Sequence, residues 1–230
     1  MSTKLCREGR ASLLMKGSLH TDVLMAAVVD RVAGLRTNRR TSHAFVLDLP
    51  SYSKPLLMAD CVVNIAPSLM DKRDIAQNAI DLAHIVGVER PYVGVLSAVE
   101  TINPAIPGTI DAAALSKMAQ RGQITGALVD DPLAFDVAMS IEAAQIKGLA
   151  TLSSERPDIL LVPNLEAGNL LYKQFVYLAK GECAGIVLGT TAPIVLTSRA
   201  DSEKSRVASC ALAALHANAM RDSSRRTAFV

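Results

Sequence analysis

Short apolar runs alternate along the chain with longer stretches in which apolar residues recur at helical spacing. Short runs rich in Val, Ile and Leu are typical of strands that are buried on both faces of a sheet. The predicted strands are 12–15, 44–49, 56–60, 92–97, 126–129, 158–162, 184–188 and 194–197. Between them, apolar positions at i, i+3, i+4 and i+7 predict helices. The predicted helices are 21–33, 71–86, 111–121, 133–146, 166–180 and 201–220.

Residues that begin and end helices support these boundaries. Thr21, Asp71 and Asp111 are expected at helix starts, and glycines are expected to end helices at positions 34, 87, 122, 148 and 181. Polar or proline-containing linkers are predicted at 36–42, 101–109 and 149–157. No fixed-period repeat is present. The alternation therefore predicts an α/β protein, built from βα units around a mainly parallel sheet.

Composition narrows the class of protein. The 230 residues are 50% hydrophobic and 20% charged, which is typical of a globular chain. A net charge of +2, no Trp and 3% aromatic residues argue against a nucleic-acid partner. No apolar run reaches the ~18 residues of a membrane span, and the first residues lack a signal-peptide pattern, so a soluble cytoplasmic protein is expected. The four cysteines form no CxxC pair, so they are expected to be reduced thiols without a metal.

Ligands of open α/β sheets bind beyond the carboxyl ends of the strands, so polar residues that follow a predicted strand are the candidate site residues. Four such segments are present, at 16–21, 130–132, 163–169 and 197–202. Lys16 and the Gly17 backbone lead from a strand into a helix, where an anion such as phosphate is favoured. The alternative is a strand-to-helix turn without function. His20 is either an acid or base, or a helix-cap residue.

Ser198 and Arg199 form the sharpest of these segments. A guanidinium beside a hydroxyl offers a bidentate grip on phosphate and a donor to a developing oxyanion. The alternative is that Thr197 or Ser198 caps the following helix and that Arg199 is solvated. The segment around Asn164, Glu166 and Asn169 fits either a site or simple turn geometry. No G-x-S-x-G, G-x-G-x-x-G or Walker motif is present, which disfavours hydrolase, Rossmann and P-loop classes.

Four strings, in this order, carry a resemblance to a known family: LLMKGSLHTD, DPLAFDVAMSIEAAQIKG, DILLVPNLEAGNLLYK and PIVLTSRADS. Together they resemble the phosphate acetyltransferase and phosphate butyryltransferase family, and SRADS with LMKGSLHTD looks more like the butyryltransferase branch. The resemblance implies a three-layer, two-lobed α/β fold similar to isocitrate and isopropylmalate dehydrogenases. Residues 1–50 with 190–230 would form the first lobe, and 51–189 the second.

The resemblance also implies a reaction, in which acyl-CoA and orthophosphate give acyl phosphate and coenzyme A. Coenzyme A is then a substrate, and neither a cofactor nor a metal is expected. The usual assembly in the family is a homodimer. The family's Ser-Arg pair falls on Ser198 and Arg199, with Arg199 on the phosphoryl group and Ser198 on the tetrahedral intermediate. The residues expected to bind substrate are Lys16, Gly17, His20, Thr21 and Asn169.

Three departures from the family pattern stand out. Ser205 occupies the position of an acidic residue proposed elsewhere as the base toward the thiol, so the base is unassigned. Asp131 stands where glycine is common, and its carboxylate would repel phosphate unless it faces away. Few residues precede LLMKGSLHTD, so we expect an incomplete first lobe whose apolar surface a partner covers.

Two rival hypotheses follow from these departures and from the fold. One is a truncated, non-catalytic homologue that keeps the fold and a coenzyme A or phosphate site, favoured by Ser205 and the short N-terminus. The other is a decarboxylating dehydrogenase of the related fold, disfavoured because no cluster of metal-binding carboxylates is evident.

Overall fold

The computed structural model of the chain describes residues 2–198 and 200–227. Eight strands form one sheet. They are β1 (Leu14–Met15), β2 (Ser42–Asp48), β3 (Leu56–Ala59), β4 (Tyr92–Leu96), β5 (Leu128–Leu133), β6 (Ile159–Leu161), β7 (Glu182–Leu188) and β8 (Ile194–Val195). The helices are α1 (Ser2–Arg7), α2 (Thr21–Val28), α3 (Leu69–Ile85), α4 (Pro107–Gln120), α5 (Phe135–Met139), α6 (Ile141–Ile146), α7 (Leu165–Tyr177) and α8 (Glu203–Thr227).

The sheet is mixed, in the order β1-β8-β7-β2-β3-β6-β4-β5. The adjacent strands β3, β6, β4 and β5 are all parallel to one another. Strand β1 is parallel to β8. The pairs β2–β3, β2–β7 and β7–β8 are antiparallel. The links β2–β3 and β7–β8 are too short for the crossover that parallel neighbours need. The α/β class is therefore confirmed, with a sheet less uniformly parallel than the alternation predicts.

Helices cover both faces of the sheet, which gives three layers. In β2, Ala44 packs with α3, α4 and α8, whereas its neighbour Phe45 packs with α5, α6 and α7. The same alternation continues in β3 and β6, as strands buried on both faces require. A smaller cluster, with Leu24 and Val28 of α2 against Leu196, packs α2 beside β8. This last cluster fixes α2 next to the strand end that carries Ser198.

Each predicted strand is present, but several helix boundaries are wrong. The predicted helix 133–146 is two helices, because Ser140 is extended and caps α6 through its Oγ, while residue 133 belongs to β5. Helix α2 ends at Val28 rather than at 33, because the Asp30 carboxylate accepts the N–H groups of Val32 and Ala33 in a turn. The N-cap of α3 is Ser68, with Asp71 as the other half of its capping box.

The remaining differences concern α1, α4, α7 and α8. Helix α4 starts at Pro107 rather than Asp111, since proline suits the first turn of a helix. Helix α7 ends at Tyr177 rather than at 180, and α8 is Glu203–Thr227 rather than 201–220. The sequence pattern also missed the short helix α1. One continuous sheet runs through both predicted lobes, and the division into lobes stays a prediction. Within the described residues, no helix combines the length and the apolar character that crossing a bilayer requires.

Candidate active site

The parallel pair β1–β8 brings two of the four strand-end segments together. Leu14 lies opposite Ile194 and Met15 opposite Val195, and the Lys16 N–H donates to the Val195 carbonyl at 2.9 Å. Both strands therefore end at the same edge, and residues 16–18 leave the sheet beside residues 197 and 198. Tertiary pairing thus joins segments that are about 180 positions apart in the chain, as the strand-end rule anticipates.

A cavity of about 290 Å³ lies on one side of Ser198. Its lining is mostly small or polar and consists of Met15, Lys16, Gly17, Ser18, Thr197, Ser198 and Arg206. A Cβ placed on Gly17 would meet nothing within 4 Å, so this backbone faces open space. Two cationic side chains and the Ser198 region thus surround a space that suits a small anion.

Lys16 is the most unusual of these residues because its side chain is buried, with 8% exposure. Its ammonium nitrogen donates to the Leu19 carbonyl at 3.2 Å, and no carboxylate in the described part of the chain forms an ion pair with it. Buried lysines are almost always paired, since an uncompensated charge is costly to desolvate. A bound anion would supply the missing negative charge.

A second cavity, of about 210 Å³, shares Thr197 and Ser198 with the first. It brings together side chains from α2, α7 and the segment before α8, including Thr21, Asn169, Tyr172, Ser198 and Asp201. The Tyr172 ring stacks on Phe45 with centroids 3.8 Å apart, which fixes it in place. Its hydroxyl donates to Asp201 Oδ1 at 3.2 Å, so a carboxylate is held in the same cavity as Ser198.

Local hydrogen bonds fix the Ser198 loop. Its backbone N–H donates to Asp201 Oδ2 at 2.7 Å, and its carbonyl accepts from the Asp201 N–H at 3.2 Å. The Ser198 Oγ accepts from the Ala200 N–H at 3.3 Å, which leaves its hydroxyl proton available to donate. The loop is therefore shaped by its own turn, with the Ser198 side chain exposed to the cavities.

The loop after β3 forms the wall opposite α2. Asp60 is buried and accepts the N–H groups of Val62, Val63 and Asn64 at 2.9 to 3.2 Å. Burial raises the pKa of the Asp60 carboxyl, and the hydrogen bonds from Val62 and Val63 oppose that rise. These bonds hold the loop in one shape.

Helix α7 packs closely against this loop at Gly168. A Cβ at Gly168 would lie 2.7 Å from the Val162 side chain and 3.0 Å from the Asp60 carbonyl oxygen, so only glycine fits there. One residue on, Asn169 Nδ2 donates to the Cys61 carbonyl at 3.2 Å. The close approach of α7 is what places Asn169 in the second cavity.

The structure thus places most predicted site residues together. Lys16 and Gly17 line the first cavity, Thr21 and Asn169 line the second, and Ser198 lines both. His20 is exposed and lines neither of the two. Arg199 lies outside the described residues. The roles assigned to these residues remain predictions.

Two other predicted features lie elsewhere. Asp131 is exposed on β5, the edge strand at the far end of the sheet from β1, so it does not approach Ser198. Ser205 is buried in α8, where its Oγ lies 3.1 Å from Ser202 Oγ, and it lines neither cavity. Sequence reasoning missed Arg206 and left Asp201 unassigned. The positions of Arg206 and Asp201 in the sequence do not identify them as site residues, because the cavities that they line form only when β1 pairs with β8.

His43 lies beneath the strand that leads to Ser198. It is fully buried, and neither ring nitrogen has a hydrogen-bond partner of good geometry in the described residues. Burial lowers the pKa of His43 to about 3, with the nearby Leu196 carbonyl offsetting a small part of this effect. Gly185 makes room for the ring, because a Cβ there would lie 2.8 Å from its Cε1.

We expect His43 to make the protein less stable in mild acid. Below the ordinary histidine pKa of about 6.5, the unfolded chain binds a proton that the folded chain does not, so stability falls as pH drops toward 3. This group alone lowers the free energy of unfolding by about 1.5 kcal/mol between pH 6.5 and pH 5. His43→Met, which does not titrate and has similar volume, should remove that part of the pH dependence in urea titrations.

The control variant is Leu47→Met, a buried position of the same strand that does not titrate, which should keep the pH dependence of the wild type. If His43→Met loses stability with falling pH as steeply as the wild type, the assignment to His43 is wrong.

A larger cavity, of about 650 Å³, lies between α3 and α8 and is lined in part by His84 and His216. It contains none of the residues from the four strand-end segments, so its size alone does not make it the active site. Among the residues that the structure describes, no group of three or more His, Cys, Asp or Glu side chains is arranged to hold a metal ion.

Fold and site together define an α/β protein with a strand-end cavity lined by two cationic side chains and a serine. Residues 1–214 match the family model described as phosphate acetyl/butaryl transferase. The chain belongs to this family, and the resemblance of its motifs is confirmed.

Among its relatives, a phosphate acetyltransferase of Rhizobium meliloti is 56% identical over 213 residues, covering 93% of this chain and 67% of that protein. A phosphate butyryltransferase of Clostridium acetobutylicum is 44% identical over 214 residues, covering 93% of this chain and 71% of that protein. The crystal structure of a branched-chain phosphotransacylase from Enterococcus faecalis V583 is similar, with a TM-score of 0.83 and 32% identity. That match covers 94% of this chain and 77% of the solved one. The chain spans 61 to 67% of the length of the first curated relatives it matches.

Proposed function

We propose that this chain catalyses the exchange of an acyl group, acetyl or butyryl, between coenzyme A and orthophosphate. The observation that carries the proposal is the pair of cavities that meet at Ser198, one containing the buried cation Lys16. Family membership and relatives named phosphate acetyltransferase and phosphate butyryltransferase support the same reaction.

In this reaction a phosphate oxygen attacks the thioester carbonyl carbon, a tetrahedral intermediate forms, and the C–S bond then breaks to release the coenzyme A thiolate. Lys16, Arg206 and Arg199 would hold the phosphate, because the nucleophile and the acyl phosphate product are both anionic. The Ser198 hydroxyl would donate to the oxyanion of the intermediate. As proposed, coenzyme A is a substrate and the transfer uses no resident cofactor or metal.

We further propose Asp201 as the group that exchanges a proton with the coenzyme A sulfur. It lines the second cavity beside Ser198, where two hydrogen bonds, from the Ser198 N–H and the Tyr172 hydroxyl, hold its carboxylate. A carboxylate oxygen keeps a lone pair after accepting one bond, so it can still receive a proton. Asp201 would thus supply a base, although Ser205 stands at the position where the resemblance to the acetyltransferase branch implies an acidic residue.

Asp201→Asn should lower kcat by about two orders of magnitude, as is typical when a general base is lost. Asparagine keeps the shape and an acceptor oxygen for the Ser198 N–H, but not the basicity. The measurement is steady-state turnover with acetyl phosphate and coenzyme A, the direction in which the carboxylate takes the thiol proton as the sulfur attacks the carbonyl and phosphate leaves. The neighbouring carboxylate variant Glu203→Gln serves as the control and should retain wild-type turnover. An Asp201→Asn enzyme within a few-fold of wild type would show that the carboxylate only shapes the loop.

The experiment that tests the function is a coenzyme A release assay on this chain as it stands. Free thiol is followed with a chromogenic disulfide, with phosphate present and with acetyl-CoA, propionyl-CoA and butyryl-CoA in turn. Phosphate-dependent release above the hydrolysis rate supports the proposal, and the substrate with the highest kcat/KM identifies the preferred acyl group. A chain inactive on every acyl-CoA would contradict the proposal and favour the non-catalytic homologue.

We also propose that the protein is a cytoplasmic homodimer, as the family resemblance implies. Exposed apolar side chains such as Val32, Ile146 and Leu178 are compatible with a covered surface. Light scattering across a broad concentration range tests the assembly, and a monomer throughout would contradict it.

A further inference from the structure

A third cavity, of about 450 Å³, is dominated by arginine. Four arginine side chains line it, Arg31, Arg36, Arg39 and Arg40, and none of its lining residues is acidic. Arginines repel one another, so a cavity surrounded by four of them is favourable mainly when an anion is present. Guanidinium groups match phosphate oxygens in geometry through paired N–H donors.

Internal ion pairs compensate only part of this charge. Arg39 pairs with Asp81, and an amino nitrogen of Arg40 lies 3.4 Å from Asp71 Oδ1. Arg31 and Arg36 form no ion pair with any carboxylate in the described residues. About two positive charges therefore remain for an external anion.

Hydrogen bonds fix one wall of the cavity. The Arg40 side-chain Nε donates to Asn64 Oδ1 at 2.6 Å, and Asn64 is itself buried, with its Nδ2 bonded to the Thr41 carbonyl at 2.9 Å and to Asp60 at 2.5 Å. This network joins the loop after β3 to the arginine-rich linker. It fixes Arg40 before any ligand arrives, which reduces the entropy lost on binding.

One face of α2 connects this cavity to the active site. Thr21 lines the second cavity beside Ser198, whereas Met25 and Val29 line the arginine cavity, and these positions repeat at the four-residue spacing of a helix face. The loop after β3 also contributes to both cavities, because Val62 lines the second cavity and Val63 lines the arginine cavity. From Thr21 to Val29 the helix rises about 12 Å.

Two carbonyls at the C-terminal end of α2 are already bonded within the chain. The Met25 carbonyl accepts from the Val29 N–H at 2.9 Å, and the Val28 carbonyl accepts from the Leu35 N–H at 2.8 Å. The charged side chains that line the cavity are all arginines, which only donate.

We propose that the arginine cavity binds the phosphate groups at the nucleotide end of coenzyme A, while the thiol end reaches Ser198 along α2. The inference rests on the proposed function and adds to it the residues that recognise the substrate. Arg31 and Arg36 supply the uncompensated charge, and Arg40 supplies a pre-positioned donor. Met25 and Val63 give the arginine cavity an apolar part.

The test compares coenzyme A with pantetheine, which has the same thiol arm and no phosphate, by isothermal titration calorimetry. In the double variant Arg31→Gln and Arg36→Gln, the Kd for coenzyme A should rise about tenfold or more, because two charge-assisted contacts are lost. The Kd for pantetheine should not change. In the release assay the KM for acyl-CoA should rise while the KM for phosphate and kcat stay near wild type.

The matched control is the double variant Arg90→Gln and Arg121→Gln, which removes the same charge from exposed positions away from the cavity. It should bind coenzyme A as the wild type does. All four substituted arginines are exposed, and circular dichroism checks that each variant is folded.

Equal coenzyme A affinity in the two double variants, or an equal loss for pantetheine, would overturn the inference while leaving the proposed function intact. A wild-type chain that neither binds coenzyme A nor turns it over would instead refute the proposed function, and the inference with it.

Discussion

Replacing Arg199 with alanine is expected to lower phosphate-dependent turnover by roughly two to three orders of magnitude, the effect typical of losing one strong electrostatic stabiliser. Arg199 directly follows Ser198, which lines both cavities, in the string PIVLTSRADS. In the proposed reaction its guanidinium makes a bidentate contact to the transferring phosphate. Lys16 and Arg206, which line the first cavity, would remain to bind the phosphate in the variant.

Two further variants sharpen this experiment. Arg199→Lys should restore only part of the activity, since an ammonium keeps the charge but not the planar fork. Arg121→Ala, at an exposed position that ends α4, should behave as the wild type. Urea midpoints should be almost equal for all of these proteins. Turnover of Arg199→Ala within a few-fold of wild type would refute the role assigned to this arginine.

Replacing Ser198 with alanine should lower kcat by about 10²- to 10³-fold and change the KM for either substrate much less. The reason is that the oxyanion exists in the intermediate and not in the bound substrates, so a donor aimed at it acts on the transition state. The Ser198 backbone N–H still bonds to Asp201 in the variant, so the loop should keep its shape.

The measurement for Ser198→Ala is the same release assay, with kcat and KM determined separately. Ser198→Thr keeps a hydroxyl and should retain more activity than the alanine variant. Ser153→Ala, in the distant loop 149–157, is the control and should not change either constant. A rise in KM with unchanged kcat would mean that Ser198 binds substrate without stabilising the intermediate.

The positions of the strands followed from the sequence because their hydrophobic pattern is a local property. A strand such as β6, with three buried residues in a row, shows its burial on both faces in its own composition. Helix boundaries were less certain where side chains compete with the backbone. Asp30 ends α2 early and Ser140 divides 133–146, and neither effect changes the apolar spacing that predicted the longer helices.

The sequence alone also predicted which segments carry the chemistry. Lys16, Asn169 and Ser198 were predicted because each follows a strand, and the order of strands places such positions at an edge of the sheet. The motifs that contain these residues indicated the family of the chain, and the family match confirms it. The residue types at these positions indicate anion binding before any fold is known.

Only the tertiary structure decided which of these segments meet. The parallel pairing of β1 with β8 joins residues 16–18 to Ser198, whereas Asp131 lies on the opposite edge strand, although the segments 130–132 and 197–202 both follow a predicted strand in the sequence. Arg206 enters the site because α8 starts beside the same strand ends. The arginine cavity forms because one helix face and one buried network bring a linker beside the site. Such contacts depend on long-range pairing and packing, and neither leaves a periodic pattern in the chain that forms them.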